Sequence, residues 1–171
     1  MVIRLAEREL KTKFGIFREI LYYDGQTESI ALVMGEVDSR EEVLCRIHSS
    51  CLSAHVFNSV ECECREEMAG AQALIERAGR GVVIYLDQEG KGNGHLALMA
   101  SIAHKKAGLK QSEAYEKAGF EADARSFRPA AEILSDLRVR SVVLLADNPE
   151  KAEDLRRASA VVSSTKRITV V

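Results

Sequence analysis

The sequence predicts a mixed α/β fold of the α+β kind, in which antiparallel N-terminal strands are followed by strand–helix alternation. Apolar residues recur with period two as far as Ser50 and with a period near four after Cys64, the signatures of strand and helix. Two uninterrupted apolar runs, Gly81-Val82-Val83-Ile84-Tyr85-Leu86 and Ser141-Val142-Val143-Leu144-Leu145-Ala146, read as strands covered on both faces. No linker, repeat or low-complexity segment interrupts the chain, so residues 1–171 are expected to form one domain.

Val2–Leu5, Ile16–Tyr23 and Ser29–Met34 are the first strands, separated by turn signals at Gly15, Asp24-Gly25 and Gly35. Asp24-Gly25 between two such runs predicts a hairpin. In Glu42–His48 the side chains alternate. Val43, Cys45 and Ile47 share one face, and Leu44, Arg46 and His48 share the other. Cys45 is therefore expected in the core. Met68, Ala71, Ile75 and Ala78 make a helical stripe that Gly79 closes. Gly81–Leu86 then runs into the glycine-rich stretch Asp87–Gly94. Ligands of open α/β sheets bind at such strand ends, so this loop is a candidate cradle. Helices are predicted over 96–107, 112–117 and 129–137, the last with Pro129 in its first turn. Asp147-Asn148-Pro149 caps a further helix to about Ala158. Val161-Val162 and Ile168–Val171 end the chain as short strands.

Composition excludes several classes. Lys plus Arg number 24 against 26 Asp plus Glu, so no basic field marks a nucleic-acid binder. Trp is absent and aromatics are 5%, too few for a base-stacking groove. No apolar run approaches the roughly 18 residues of a membrane span. Arg4, Glu7, Arg8 and Glu9 break up any signal-peptide core. Clustered unpaired cysteines then point to a reducing cytoplasm.

The chemistry centres on Arg46-Ile47-His48-Ser49-Ser50-Cys51 and Cys62-Glu63-Cys64. A C-x-C pair on a straight strand would point its thiols to opposite faces, so shared ligation needs a turn there. Zinc favours thiolate and imidazole, and three protein ligands with an open position form the catalytic pattern. His48 or His55 as a fourth ligand would instead close the site into a structural one. The spacing leaves both open.

Several runs together resemble the GTP cyclohydrolase II family. They are Arg-Ile-His-Ser-x-Cys-Leu from Arg46, Phe-x-Ser-x-x-Cys-x-Cys from Phe57, and Gly-Arg-Gly-Val-Val-Ile-Tyr-Leu-x-Gln-Glu-Gly-Lys-Gly from Gly79. Gly-Phe-x-Ala-Asp-x-Arg-x-Phe from Gly119 and Leu-Leu-x-x-Asn-Pro-x-Lys from Leu144 follow in the same order. The resemblance implies a zinc-dependent hydrolase that opens the imidazole ring of GTP, or of a related purine nucleotide, in riboflavin synthesis. It implies one zinc per chain on Cys51, Cys62 and Cys64, with Mg2+ accompanying the substrate phosphates, and a homodimer. Arg46, Ile47, His48, Ser49, Ser50, Glu67, Glu89, Gly90, Lys91, Gln111 and Lys151 match substrate-binding positions. Asp123 matches the proton acceptor, and Arg125 the arginine assigned to attack on the α-phosphate.

The departures are specific. The family carries Glu at Ser50, Asp at His55, Gln at Glu67, Arg at Asp87, Lys at Leu98, Tyr at Ile102, and Thr at Gln111 and Ala146. An Arg-to-Asp change at Asp87 and a Lys-to-Leu change at Leu98 both remove positive charge. They predict a ligand with fewer phosphates than GTP, or with phosphates presented differently. The Ile102 side chain has no donor or acceptor for a hydrolytic water, which predicts a reaction that stops early, for instance at an N-formyl ring-opened product, or proceeds with little formate release. The competing class is a non-catalytic, zinc-stabilised nucleotide-binding or regulatory paralogue.

Overall fold

A computed structural model describes residues 1–146 and 149–168. Its strands are β1 (Ile3–Thr12), β2 (Gly15–Tyr23), β3 (Glu28–Met34), β4 (Val43–Ser49), β5 (Gly81–Leu86), β6 (Val142–Leu145) and β7 (Val162–Lys166). The helices are α1 (Leu52–His55), α2 (Cys64–Ala78), α3 (His95–Lys106), α4 (Gln111–Lys117), α5 (Arg128–Asp136) and α6 (Pro149–Arg157). One mixed sheet runs in the order β1-β2-β3-β5-β4-β6-β7. The first three strands and β5 pair antiparallel, whereas β5, β4, β6 and β7 pair parallel.

The expected hairpin joins β2 to β3, and the Asp24 carboxylate accepts the amides of Gln26 and Thr27 to fix its turn. β1 is longer than the predicted Val2–Leu5. Glu7, Arg8, Glu9 and Lys11 extend it as an edge strand exposed on both faces, so no apolar period marks it. Its ladder to β2 and the Arg8–Glu19 ion pair hold it there. At the other end, β7 is a single strand over Val162–Lys166, starting on Val162 and continuing through Ser163, Ser164 and Thr165, which carry no hydrophobic signal. Ile168 lies outside it and packs into the core. The predicted cap residues Asp147 and Asn148, and residues 169–171 of the last predicted strand, lie outside the described residues.

Strand alternation divides the core between the two faces of the sheet. Cys45, Ile47, Val82, Ile84 and Leu86 pack with Ala130, Ile133 and Leu134 of α5 and Leu155 of α6. Val83 and Phe17 pack on the other face with Ala71 and Ile75 of α2. Gly79, at φ 68°, ends α2 in the left-handed conformation. Gly81 starts β5 where a Cβ would lie 2.6 Å from Ile75 Cγ1, so only glycine lets α2 approach the sheet this closely.

The parallel strands β5, β4 and β6 end on the same edge. The segments that follow them are the Ser50–Cys62 loop with α1, the Asp87–Gly94 loop, and α6. These three segments meet where α/β sheets build their sites.

Candidate functional site

A cleft of about 560 Å³ opens at this edge. Residues Arg46, His48, Ser49 and Ser50 reach it from β4, Cys51, Cys62 and Cys64 from the following loop and α2, and Glu67 from α2. The Asp87–Gly94 loop supplies Gln88, Glu89, Gly90 and Lys91. Leu98, Met99 and Ile102 come from α3, Gln111 from α4, with Arg125 and Lys151 opposite. Two residues matched by resemblance do not line it. Ile47 points into the core, as its place in the β4 alternation dictates. Asp123 lines an adjacent groove, beside Arg125, which faces both spaces.

The three sulfurs of Cys51, Cys62 and Cys64 lie within 4.8 Å of one another, and Cys51 Sγ is 3.6 Å from Cys62 Sγ. The required turn falls at Glu63, after which Cys64 opens α2. Among the described residues no further Cys, His, Asp or Glu joins this cluster. His48 Nε2 and His55 Nε2 instead hydrogen-bond each other at 2.9 Å. Burial, reinforced by the neighbouring sulfurs, pushes the Cys51 and Cys64 thiols up. Bare thiols packed this way resist ionisation, whereas a coordinated cation deprotonates them outright, so the donor set suits a thiophilic metal.

Arg46 is almost fully buried and donates Nη2 to Glu67 at 2.5 Å and Nη1 to the Leu145 carbonyl at 3.0 Å. Its Nε has no hydrogen-bond partner; neither do His48 Nδ1, Ser49 Oγ, Gln88 Oε1 and His95 Nδ1, the last 4.0 Å from Glu89 Oε1, all buried and all from cleft-lining residues. Buried polar atoms are nearly always satisfied, so a floor of such atoms is shaped for a polar ligand or its water. Burial, with repulsion from Arg46, His55 and Lys151, lowers His48 to about 3, leaving a neutral imidazole stacked on Tyr85. Burial and the nearby Arg46 and Arg125 guanidiniums lower Lys151 to about 8.

The glycine loop is clamped on both sides. Glu89 accepts the Leu52 amide at 2.7 Å, tying the loop to α1, and Lys91 donates to Ser112 Oγ at 2.8 Å. Gln88 donates to the Ser126 carbonyl, the Ala124 amide to the Lys91 carbonyl, and Asn93 to the Glu121 carbonyl. These bonds fix the bend that carries Asp123 and Arg125. Gly92, at φ 83°, leaves no room for a Cβ against the Ala124 carbonyl, which would lie 2.8 Å away. Arg125 Nε donates to Asp123 Oδ1 at 2.8 Å, and Lys91 Nζ is 3.8 Å from Asp123 Oδ2. Burial alone would raise Asp123, but the Arg125 hydrogen bonds and charge, with Lys91, outweigh it and hold the carboxyl below the usual range.

The charge expectation divides. Leu98 and Ile102 do face the cleft, but Asp87 is exposed and lines a separate cavity with Asp24, Ser29 and Glu132. Its negative charge is therefore not a wall of the cleft. Sequence reasoning also missed His95, Tyr115, Lys105 and Lys106, which line it. Extending the Leu98–Ile102 spacing by another turn would have reached both lysines.

The GTP cyclohydrolase II family model matches residues 3–167. The chain belongs to the GTP cyclohydrolase II family. It is 42% identical over 158 residues to the riboflavin biosynthesis protein RibBA of Bacillus mycoides, covering 91% of this chain and 40% of that protein. It is 41% identical over 156 residues to GTP cyclohydrolase-2 of Histophilus somni, covering 90% of this chain and 72% of that one. The chain thus spans well under half the length of the RibBA relatives. Among solved structures, RibBX, a two-domain 3,4-dihydroxy-2-butanone 4-phosphate synthase from A. baumannii, aligns with a TM-score of 0.53 at 20% identity. That alignment covers 96% of this chain and 40% of RibBX, a likeness of fold alone. No helix among the described residues is long and apolar enough to cross a membrane.

Proposed function

We propose that this chain is a zinc-dependent cyclohydrolase that opens the imidazole ring of GTP or a related purine nucleotide. The observation that carries the reading is one cleft uniting the three-thiol cluster with a floor of unpartnered buried polar atoms. Family membership supports the reaction class. Cys51, Cys62 and Cys64 would hold one zinc, which when bound supplies Lewis-acid polarisation for attack of water at C8.

The chain's own residues do the rest. Arg46, His48, Ser49 and Ser50, with Glu67, Glu89, Gly90 and Gln111, bind and orient the base and ribose, their unpaired atoms meeting its polar edges. Ile47 contributes through its backbone position alone, since its side chain is in the core. Lys91, Arg125 and Lys151 bind the phosphates, with Mg2+ accompanying them. Arg125 acts at the α-phosphate. Asp123 accepts the proton, and phosphate competing for Arg125 would release its carboxylate from the present pairing. The protein works as one domain over residues 1–171, as a homodimer, in a reducing cytoplasm, on a small nucleotide and without nucleic-acid or membrane partners.

A non-catalytic, zinc-stabilised nucleotide-binding or regulatory role is the second reading. Ile102 in the cleft and the engagement of Asp123 by Arg125 favour it. Incubating zinc-loaded protein with a panel of purine and pyrimidine nucleotides, followed by mass spectrometry, separates the two. Ring-opened product from a purine nucleotide supports the enzyme. Binding without any product supports the second reading, and neither binding nor product contradicts both.

Two further outcomes are expected. The Lys151 ammonium is the form that attracts phosphate, and burial makes it lose its proton near pH 8 in the free protein. Nucleotide affinity should therefore be full below that pH and fall as pH rises through it, with Lys151→Met flattening the dependence; titration calorimetry from about pH 7 to about pH 9, a range of about two units bracketing the transition, checks this. Ile102 offers no hydrogen bond to a second water, so free formate should stay well below ring-opened product, and Ile102→Tyr should raise it. Equal formate and ring-opened product from the unaltered protein, in a coupled formate assay, would remove this expectation.

A further inference from the structure

One face of α3 lines the cleft from end to end and changes character along its length. Leu98, Met99 and Ile102 come first, and Lys105 and Lys106 follow on the last turn, all five facing the cleft. The spacing i, i+4, i+7 from Leu98 is that of one helical face. Seven residues at 1.5 Å each put Lys105 about 10 Å beyond Leu98 along the helix.

Neither lysine's ammonium group makes an ion pair or hydrogen bond among the described residues. The other cations of the cleft are engaged. Arg46 is held by Glu67, Arg125 by Asp123, and Lys91 by Ser112 and Asp123, while Lys151 is buried beside two guanidiniums. The lysine turn is also joined to the proposed phosphate-binding group. Gln111 donates to Ser101 Oγ at 3.0 Å, one turn before Lys105, and the next residue, Ser112, accepts from Lys91. A continuous wall therefore leads from Arg125 through Lys91 and α4 to the end of α3.

Favourable interaction with the helix dipole accounts for basic residues in a last turn, and His104 serves that end as well. It does not account for both lysines facing the cleft beyond an apolar band. A polyphosphate has no partner on Leu98, Met99 or Ile102, whereas a sugar or base face does. We propose that Lys105 and Lys106 form an anion subsite at the cleft mouth that takes the terminal phosphate of a nucleoside polyphosphate. The positive charge absent at Leu98 is thereby supplied two turns further along the same face. This rests on the nucleotide reading above and adds where the tail of that nucleotide lies.

The test is a set of affinities for GTP, GMP and inorganic tripolyphosphate, measured on zinc-loaded wild type and on the Lys105→Ala, Lys106→Ala double variant. Both side chains are exposed, so the variant is expected to fold. GTP and tripolyphosphate should each weaken about tenfold, GMP should stay within about twofold, and the differences should shrink at high salt. Restoring charge with Lys105→Arg, Lys106→Arg should recover most of the loss, and Lys117→Ala, outside the cleft, should have no effect. A GTP-to-GMP affinity ratio unchanged in the double variant overturns the subsite. Should wild type bind no purine nucleotide, the nucleotide reading fails, and tripolyphosphate alone decides whether the two lysines form an anion subsite. A weakening of about fivefold or more then upholds it, and unchanged affinity overturns it.

Discussion

Protein purified without chelator is expected to contain about one zinc per chain, and Cys51→Ser, Cys62→Ser or Cys64→Ser to lose it. The three sulfurs lie within 4.8 Å of one another; Cys51 stands at the start of the loop after β4, Cys62 at its end, and Cys64 opens α2. Removing one thiolate leaves two donors from the chain, too few for the three- or four-ligand sites that zinc occupies in proteins. The loss should extend to stability, because metal-binding free energy is also folding free energy for the segment it closes. The loop over 51–62 carries exposed Val56, Phe57 and Val60 and has only the one-turn α1 as regular structure, so a bound metal would add to the hydrogen bonds that Glu89 and His48 make to it. Elemental analysis and thermal unfolding with and without chelator check both points. Full zinc occupancy in Cys62→Ser would count decisively against the site.

Arg125→Ala is expected to abolish phosphate chemistry, lowering turnover by about a hundredfold to a thousandfold, the usual cost of removing one group that meets developing charge. The fold should survive. Arg125 pairs with Asp123 in a bend whose backbone is held by the Gln88 and Asn93 side-chain amides and the Lys91 carbonyl, none of which involves the Arg125 side chain. Asp123→Asn should slow ring opening while leaving nucleotide affinity near normal or higher, since it frees Arg125 from its present partner. Circular dichroism and steady-state assays separate these effects. Turnover at the wild-type rate in both variants would end the assignment of either role.

Much of this was legible in the chain because period and burial agree. The alternation of Glu42–His48 correctly sent Cys45 to the core and set it on the face opposite Arg46 and His48, which line the cleft; the same alternation takes Ile47, matched to a binding position by resemblance, into the core. Gly79 ended α2 as expected, for it alone tolerates the left-handed cap without strain. β1 was cut short because an edge strand exposed on both faces leaves no apolar signature in Glu7–Lys11. Asp87 was expected beside the phosphates because it adjoins Gln88-Glu89-Gly90. The strand exit turns it away, so neighbours in sequence face different cavities. Asp123 and Arg125 show the same limit. Two residues apart, they share an ion pair, yet only the arginine enters the cleft. Lys105 and Lys106 read as ordinary basic residues at a helix end, and only the packing of α3 over the cleft distinguishes them.

The most direct measurement of the central claim uses GTP isotopically labelled at C8, incubated with zinc-loaded protein and followed by nuclear magnetic resonance. The account predicts that the labelled carbon leaves the aromatic region and appears as a formamide, with a smaller free-formate signal, and that Cys62→Ser shows neither. A label that stays in the intact imidazole ring, while the nucleotide is bound or loses only phosphate, would contradict it.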